Sequence, residues 1–450
     1  MFVAGCIFLI TVFMLDLEDA DWTKLQTLAW IISGLILVSY LLQIAARQFV
    51  FFSTRNIVLL GVIYWVLSDV LQMIPQVHFV DPQIAIRAMF YVFLFVLFVQ
   101  IGYLIPPSRW AKKKFLDFKD PKMPNLSFII LCVAFCIGIL PYFYYSDWSL
   151  SKVIEGIMSS RYSQVEVGWR REFLGDERAV VLGLDFFFVA FPSMVTFYLM
   201  AFKKSYGKKI FLVCLMFLVC IAEFYMGTRQ IFGFVVLVPL LTFYLTLPRK
   251  KRHWFTIFLI VIVFILFFLM EIQLYQRSSG FFKKELPNLT SEVKERYVTV
   301  DDNFFQFARL ISFVPEKYNY VFFNEIWYLI VRPIPRILWE GKPTGFGLFY
   351  ARNILGYQDT TFSYSVLGDF YVSFGIFGIL LGGIFFGWLC RNVDQWIPYL
   401  GISKFGLVLF ALCAFTMGMA VRSLQIFILF GYYLFVFFIV AKIISFSFKK

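Results

Sequence analysis

Twelve apolar runs divide this 450-residue chain, near residues 1–15, 25–46, 57–74, 85–105, 126–145, 180–202, 210–226, 230–247, 254–272, 366–389, 401–421 and 424–443. About 20 consecutive apolar residues cross the hydrocarbon core of a bilayer as a helix. The pattern therefore predicts an all-α polytopic membrane protein of about twelve spans. Composition agrees: 61% of residues are apolar and 15% charged, against about 45–50% and 25% in soluble domains. That balance excludes a disordered chain and argues against a string of water-soluble domains. The first run is short, and Asp16-Leu17-Glu18-Asp19-Ala20-Asp21 follows it in place of a small-residue cleavage site. It is taken as a span.

Charge distribution sets the expected orientation. With the N-terminus placed in the cytoplasm, the inner loops and tail collect 21 Lys and Arg against three acids, Asp117, Asp120 and Asp394. The short outer loops hold only Lys24, Arg87, Arg229 and Arg422. Positive residues stay on the cytoplasmic side, so both termini are expected there. The formal charge of +13 is thus a topology signal, and no basic stripe or motif points to nucleic acid. All seven cysteines fall inside apolar runs, where they act as small apolar residues and leave none to staple the outer loops.

Two stretches are too long to be mere connections, 146–179 and 273–365, and both fall on the outer side. Their density of Trp, Tyr and Phe predicts packed loops with short helices. The first carries Arg161, Arg170, Arg171 and Trp169. The second carries Arg277, Asp301, Asp302, Arg309, Glu325, Trp327, Arg332, Arg336, Trp339, Lys342 and Arg352. A guanidinium grips phosphate oxygens with paired N–H donors, so arginines at this face suit an anionic head group. Acids nearly balance them, so the plainer reading is loop ion pairs.

Three segments tilt the reading toward a site. In Met226-Gly227-Thr228-Arg229, a lone arginine occupies a tight outer turn against the charge trend, and Gly227 permits close backbone approach. In Arg332-Pro333-Ile334-Pro335-Arg336, two prolines favour an extended strut that holds its arginine Cα atoms about 12 Å apart. In Leu367-Gly368-Asp369-Phe370-Tyr371-Val372-Ser373-Phe374-Gly375, a carboxylate stands where a span begins. Such a group needs a partner or a function, and Arg422 is the candidate partner. Gly378-x-x-x-Gly382 and Gly383-x-x-x-Gly387 follow, as helix-packing notches.

Elsewhere Asp69, Asp185 and Glu223 lie within apolar runs, open to cavity, protonated or paired roles. The two histidines, His78 and His253, build neither a zinc set nor a Ser-His-Asp triad, and no Gly-rich phosphate loop is present. Asn288-Leu289-Thr290 matches the glycosylation pattern and is taken as chance.

On three segments the chain resembles the bacterial O-antigen (Wzy-type) oligosaccharide repeat-unit polymerases. Gly227-Thr228-Arg229 is similar to that family's Gly-x-Arg turn. Pro333-Ile334-Pro335-Arg336-Ile337-Leu338-Trp339-Glu340-Gly341-Lys342-Pro343 is similar to its Pro-Arg-x-x-Trp-x-x-Lys-Pro loop. Ser365 to Gly375 is similar to its Gly-[Glu/Asp]-x-Tyr-x-x-Phe-Gly segment, with Asp369 where glutamate is more usual.

The resemblance implies a glycosyltransferase of the bacterial inner membrane that joins repeat units carried on undecaprenyl pyrophosphate at the periplasmic face. It implies no metal or other cofactor, and a chain-length co-polymerase and a flippase as partners. On that reading Arg161, Arg170, Arg171, Arg229, Arg277, Arg332, Arg336 and Arg422 contact pyrophosphate or anionic sugar. Asp369 is the candidate base and Glu325 the second; Trp169, Trp327 and Trp339 offer stacking faces. One alternative is a GT-C-type glycosyltransferase or glycan ligase, motivated by Asp19 and Asp21. The other is a flippase or polysaccharide transporter, which should line its spans with charge rather than its loops.

Overall fold

The computed structural model describes residues 21–45, 52–74, 79–109, 121–159, 181, 183–203, 205–248, 300–332, 334, 338–356, 362–400 and 403–446, with scattered positions between 251 and 272. All regular structure among them is helical. The longer helices are α1 (Trp22–Ala45), α2 (Thr54–Leu71), α3 (Pro82–Leu104), α4 (Pro124–Tyr144), α6 (Asp185–Ala201), α7 (Tyr206–Tyr225), α8 (Arg229–Thr246), α12 (Ser365–Asp394), α13 (Lys404–Ala420) and α14 (Leu424–Phe446). Short helices α5 (Leu150–Met158), α9 (Asn303–Ile311), α10 (Asn324–Val331) and α11 (Phe346–Phe349) lie in the two long loops.

Seven of the described helices are long and apolar enough to cross a membrane, and α6 and α13 are shorter apolar helices. The helix α7 carries three charges, Lys208, Lys209 and Glu223. The run at 1–15 lies outside the described residues. Large apolar side chains face outward along the long helices, among them Leu41 (62% exposed), Phe217 (60%) and Leu381 (63%). In water such a surface would drive association; against lipid tails it costs nothing.

Local sequence explains where helices start. Asp81 accepts the Gln83 N–H at 2.8 Å and Pro82 occupies the first turn of α3, a position that needs no amide hydrogen. Ser403 accepts the Gly406 N–H at the start of α13. Within α2 a π-turn, Ile63–Leu67, loosens the usual ladder, and the Trp65 carbonyl accepts from Asn303 Nδ2 at 3.0 Å. This bond ties the second long loop to the bundle.

The run at 366–389 is not one straight helix. Phe374 (φ −143°, ψ 21°) and Gly375 (φ 61°, ψ −142°) break it, and the left-handed φ is one that glycine takes without penalty. The rings of Phe370 and Phe386 lie 6.0 Å apart; sixteen residues of straight helix would separate them by about 24 Å. The segment 365–373 therefore doubles back on the rest of α12. A Cβ on Gly378 would sit 2.0 Å from the Phe370 carbonyl oxygen, and one on Gly382 2.2 Å from the Phe370 ring. Gly383 and Gly387 face α3 in the same manner, against Phe98 and Val99. The first glycine pair thus seats the chain's own fold-back, and the second seats a neighbouring helix.

Among the described residues two large apolar cores result, with a small third cluster of Leu400, Leu407, Phe410 and Ala414. One joins α1, α2, α3 and α12 with loop residues such as Val300, Phe304, Phe307, Leu310, Val314, Phe346 and Tyr350. The other joins α4, α6, α7, α8, α13 and α14. The described part of the second long loop is built into the bundle rather than laid over it.

Candidate functional site

The turn between α13 and α14 with the first residues of α14, Val421 to Gln425, is where the cores meet and where several of the described site residues gather. The Val421 carbonyl accepts from Val366 N at 3.0 Å, and the Arg422 carbonyl accepts from Ser363 Oγ at 2.8 Å. Asp369 receives the Leu424 N–H at 2.7 Å and the Ser423 hydroxyl at 3.2 Å. Arg332 donates from Nη1 to Gln425 Oε1 at 3.0 Å. Five consecutive residues thereby fix the folded-back segment, the loop and two helices to one another.

Asp369 is not paired with Arg422. Its carboxylate caps the N-terminus of α14, where free N–H groups and the helix dipole favour negative charge. Arg422 instead donates from Nε to Asp301, with its guanidinium 5.8 Å from the Trp65 ring centre. Arg229, the first residue of α8 after Gly227 (φ 75°), reaches the same place. Its Nη2 donates to the Val300 carbonyl at 2.5 Å and lies 3.7 Å from Asp301 Oδ1. One carboxylate thus gathers two guanidiniums from distant parts of the chain. The three side chains are only 15–26% exposed, so they are partly desolvated yet reachable.

The acids Glu325 and Asp369 are buried, at 2% and 1% exposure. Glu325 Oε2 accepts the Phe346 N–H at 2.8 Å, which caps α11. Burial pushes the Glu325 carboxyl above its usual range, although the Phe346 N–H and the Arg332 charge oppose this. The Tyr364 phenol, buried beside both acids, is pushed far up by burial first and then by their negative charge. Asp185 is paired with the Tyr142 hydroxyl, and Asp69 is buried near the start of α9. Asp21 accepts the Trp22 N–H at the start of α1.

Arg332 itself departs from the extended conformation expected of it, while Pro333, Pro335 and Arg336, and with them the arginine spacing, lie outside the described residues. Arg332 has helical φ/ψ (−53°, −37°) despite the following proline, the Ile334 N–H bonds the Val331 carbonyl, and Lys342 Nζ donates to the carbonyls of Arg332 and Ile334, each at 2.7 Å. A nearly buried ammonium holds these two carbonyls together. Arg161, Arg170, Arg171, Arg277 and Arg336 lie outside the described residues, as do Trp169, Asp19, His78 and His253. Trp327 is 51% exposed.

Asp301, Gln425, Ser423 and Lys342 organise the site, yet their part in it was not read from the sequence. The adjacent acids Asp301-Asp302 and the polar run Arg422-Ser423-x-Gln425 between apolar spans were the available signals. Among the described residues no group of three or more His, Cys, Asp or Glu is placed to hold a metal ion. No family model, curated protein or solved structure matches the chain.

Proposed function

We propose that the chain is a lipid-linked oligosaccharide polymerase of the Wzy type. In this reading about twelve spans sit in a bacterial inner membrane with both termini cytoplasmic, and the Arg229–Arg422 pair faces the periplasm. The sugar hydroxyl of one lipid-linked repeat unit attacks the anomeric carbon of a growing chain. The bond from that carbon to the carrier diphosphate breaks, the diphosphate leaves with the electron pair, and the hydroxyl proton passes to a base. Negative charge grows on the leaving group, so fixed guanidiniums stabilise the transition state more than the ground state.

The observation that supports this most is the convergence of Arg229 and Arg422 on Asp301 in a partly desolvated position. Asp301 holds the pair in place before substrate arrives, which removes reorganisation cost. Arg332, linked to the same turn through Gln425, is proposed as a third contact to the leaving group. Asp369 and Glu325 were the expected bases. Their burial suits positioning of the turn better than contact with a substrate hydroxyl.

The test is the glycan pool of cells whose native copy is replaced by Arg422→Ala, with Arg422→Lys as the charge-preserving control and membrane protein levels matched. A single repeat unit on carrier lipid, with polymer absent, is the expected result. Wild-type polymer in the alanine variant overturns the proposal. Finished polymer stranded on carrier lipid points to a ligase instead.

A further inference from the structure

At Asp302, one residue on from the anchor of the arginine pair, a crevice of ≈ 480 Å³ opens, within the roughly 300–1,000 Å³ of small-ligand sites. The sequence of α9 explains its character. Phe304, Phe307, Ala308 and Ile311 are 0–3% exposed and fill the core. Asp302, just before the helix, and Phe305, Gln306 and Arg309 at i+3, i+4 and i+7 from it line the crevice together with Phe79 and Phe362; Phe305 and Gln306 are themselves 7% and 3% exposed and form its floor. Gln306 Nε2 donates to Asp302 Oδ2 at 2.6 Å, and the Tyr350 hydroxyl donates to Gln306 Oε1 at 3.0 Å. This relay fixes the polar floor, while Phe79, 80% exposed, stands at the lip.

We propose that this crevice is a glycan subsite for a neutral pyranose ring, the one nearest the diphosphate, a reading that rests on the polymerase function above. A carboxylate accepts from hydroxyls, a guanidinium donates to them, and an amide does both. The phenylalanine rings match the apolar C–H faces of a sugar. Other ligands fit worse. A phosphate meets Asp302, whereas a lipid tail would strip the remaining water from the Asp302 carboxylate and the Arg309 guanidinium and replace it with nothing polar. Position agrees as well, because Asp302 directly follows Asp301, the anchor of Arg229 and Arg422. A diphosphate on those arginines places its first sugar at the crevice mouth.

Saturation-transfer NMR on the full chain in lipid nanodiscs tests this. The probes are methyl glucoside, methyl galactoside, methyl mannoside, methyl glucuronoside and, by phosphorus NMR, inorganic pyrophosphate. At least one neutral glycoside is expected to bind saturably. Arg309→Gln and Phe362→Ala should each weaken it about tenfold (~1.4 kcal/mol), and Phe79→Ala, at an exposed position that does not threaten the fold, should weaken it several-fold. Arg229→Ala and Arg422→Ala should abolish pyrophosphate binding and leave the glycoside signal intact.

The subsite is overturned if no neutral glycoside saturates, if only the glucuronoside binds, or if Phe79→Ala and Arg309→Gln bind as wild type does. Loss of glycoside binding in the crevice variants, with polymer still made by Arg422→Ala, sinks the polymerase reading and leaves the sugar site standing.

Discussion

Asp369 and Asp394 perform the same task on one helix, α12, in two different settings. Asp394 receives the Thr54 N–H at 2.6 Å, the Arg55 N–H at 3.4 Å and the Tyr103 hydroxyl at 3.0 Å, capping α2. Asp369 caps α14 in the same way. The arginines differ. Around Asp394, Arg55 and Arg391 lie against the Tyr103 ring, 4.5 and 5.3 Å from its centre, as cation–π contacts. Around Asp369, Arg422 and Arg229 share a loop carboxylate at the edge of a polar crevice. A buried acid in an apolar helix is a fastener at both ends, and the guanidiniums that share Asp301 are the pair to which the proposed function assigns the anion.

The largest expected effect separates the two clusters directly. Arg422→Ala or Arg229→Ala should cut polymer formation in membrane vesicles by about 10²–10³, the range for removing one preorganised transition-state donor. Arg391→Gln should keep wild-type turnover, and an equal loss there would erase the contrast. Next comes stability. Asp394→Ala strands buried N–H donors at about 1–3 kcal/mol, read as a lower Tm in detergent with turnover per folded molecule unchanged. Asp369→Ala should lower the Tm similarly but also slow turnover, because the Arg422 turn loosens; unchanged turnover would show that the turn does not position the arginine.

A smaller effect tests the fold-back that carries Asp369. Gly375→Ala forces a Cβ into a left-handed φ, 2.9 Å from the Tyr320 hydroxyl, and should cost about 1–2 kcal/mol. No Tm change would mean that the reversal is absent. The smallest concerns pH. The Glu325 carboxyl is raised by burial, so its contribution to stability is full below its unfolded pKa and is lost as pH rises through its folded value. Glu325→Gln keeps the acceptor for Phe346 N and removes that loss. The Tm of the variant relative to wild type should therefore grow from acidic to neutral pH, and a constant difference would contradict the burial argument.

Much of the helical frame was legible because apolar runs of helix length leave the backbone little choice. The runs at 85–105 and 424–443 correspond to Pro82–Leu104 and Leu424–Phe446. The reversal at Gly375 was not legible, since Ser365–Asp394 reads as one apolar run and a single glycine gives no sign of its φ. Nor was the course of the second loop, because aromatic density predicts packing without naming the surface packed against. At the site, the isolated positive charge marked Arg229 and Arg422. Their shared anchor Asp301 was hidden, because an acid among many in a long loop gains meaning only from three-dimensional contact. The pairing of Asp369 with Arg422 failed for the same reason: complementary charge is visible in a sequence, while the helix N-terminus that Asp369 caps comes beside it only in the fold.

The most direct measurement compares farnesyl diphosphate with farnesyl monophosphate binding to the full chain in nanodiscs, for wild type and the Arg229→Gln/Arg422→Gln double variant. Wild type should bind the diphosphate at least about tenfold more tightly (~1.4 kcal/mol), with affinity falling as salt rises, and the double variant should lose that preference. A double variant that still binds the diphosphate as tightly as wild type would contradict the assignment of the arginine pair.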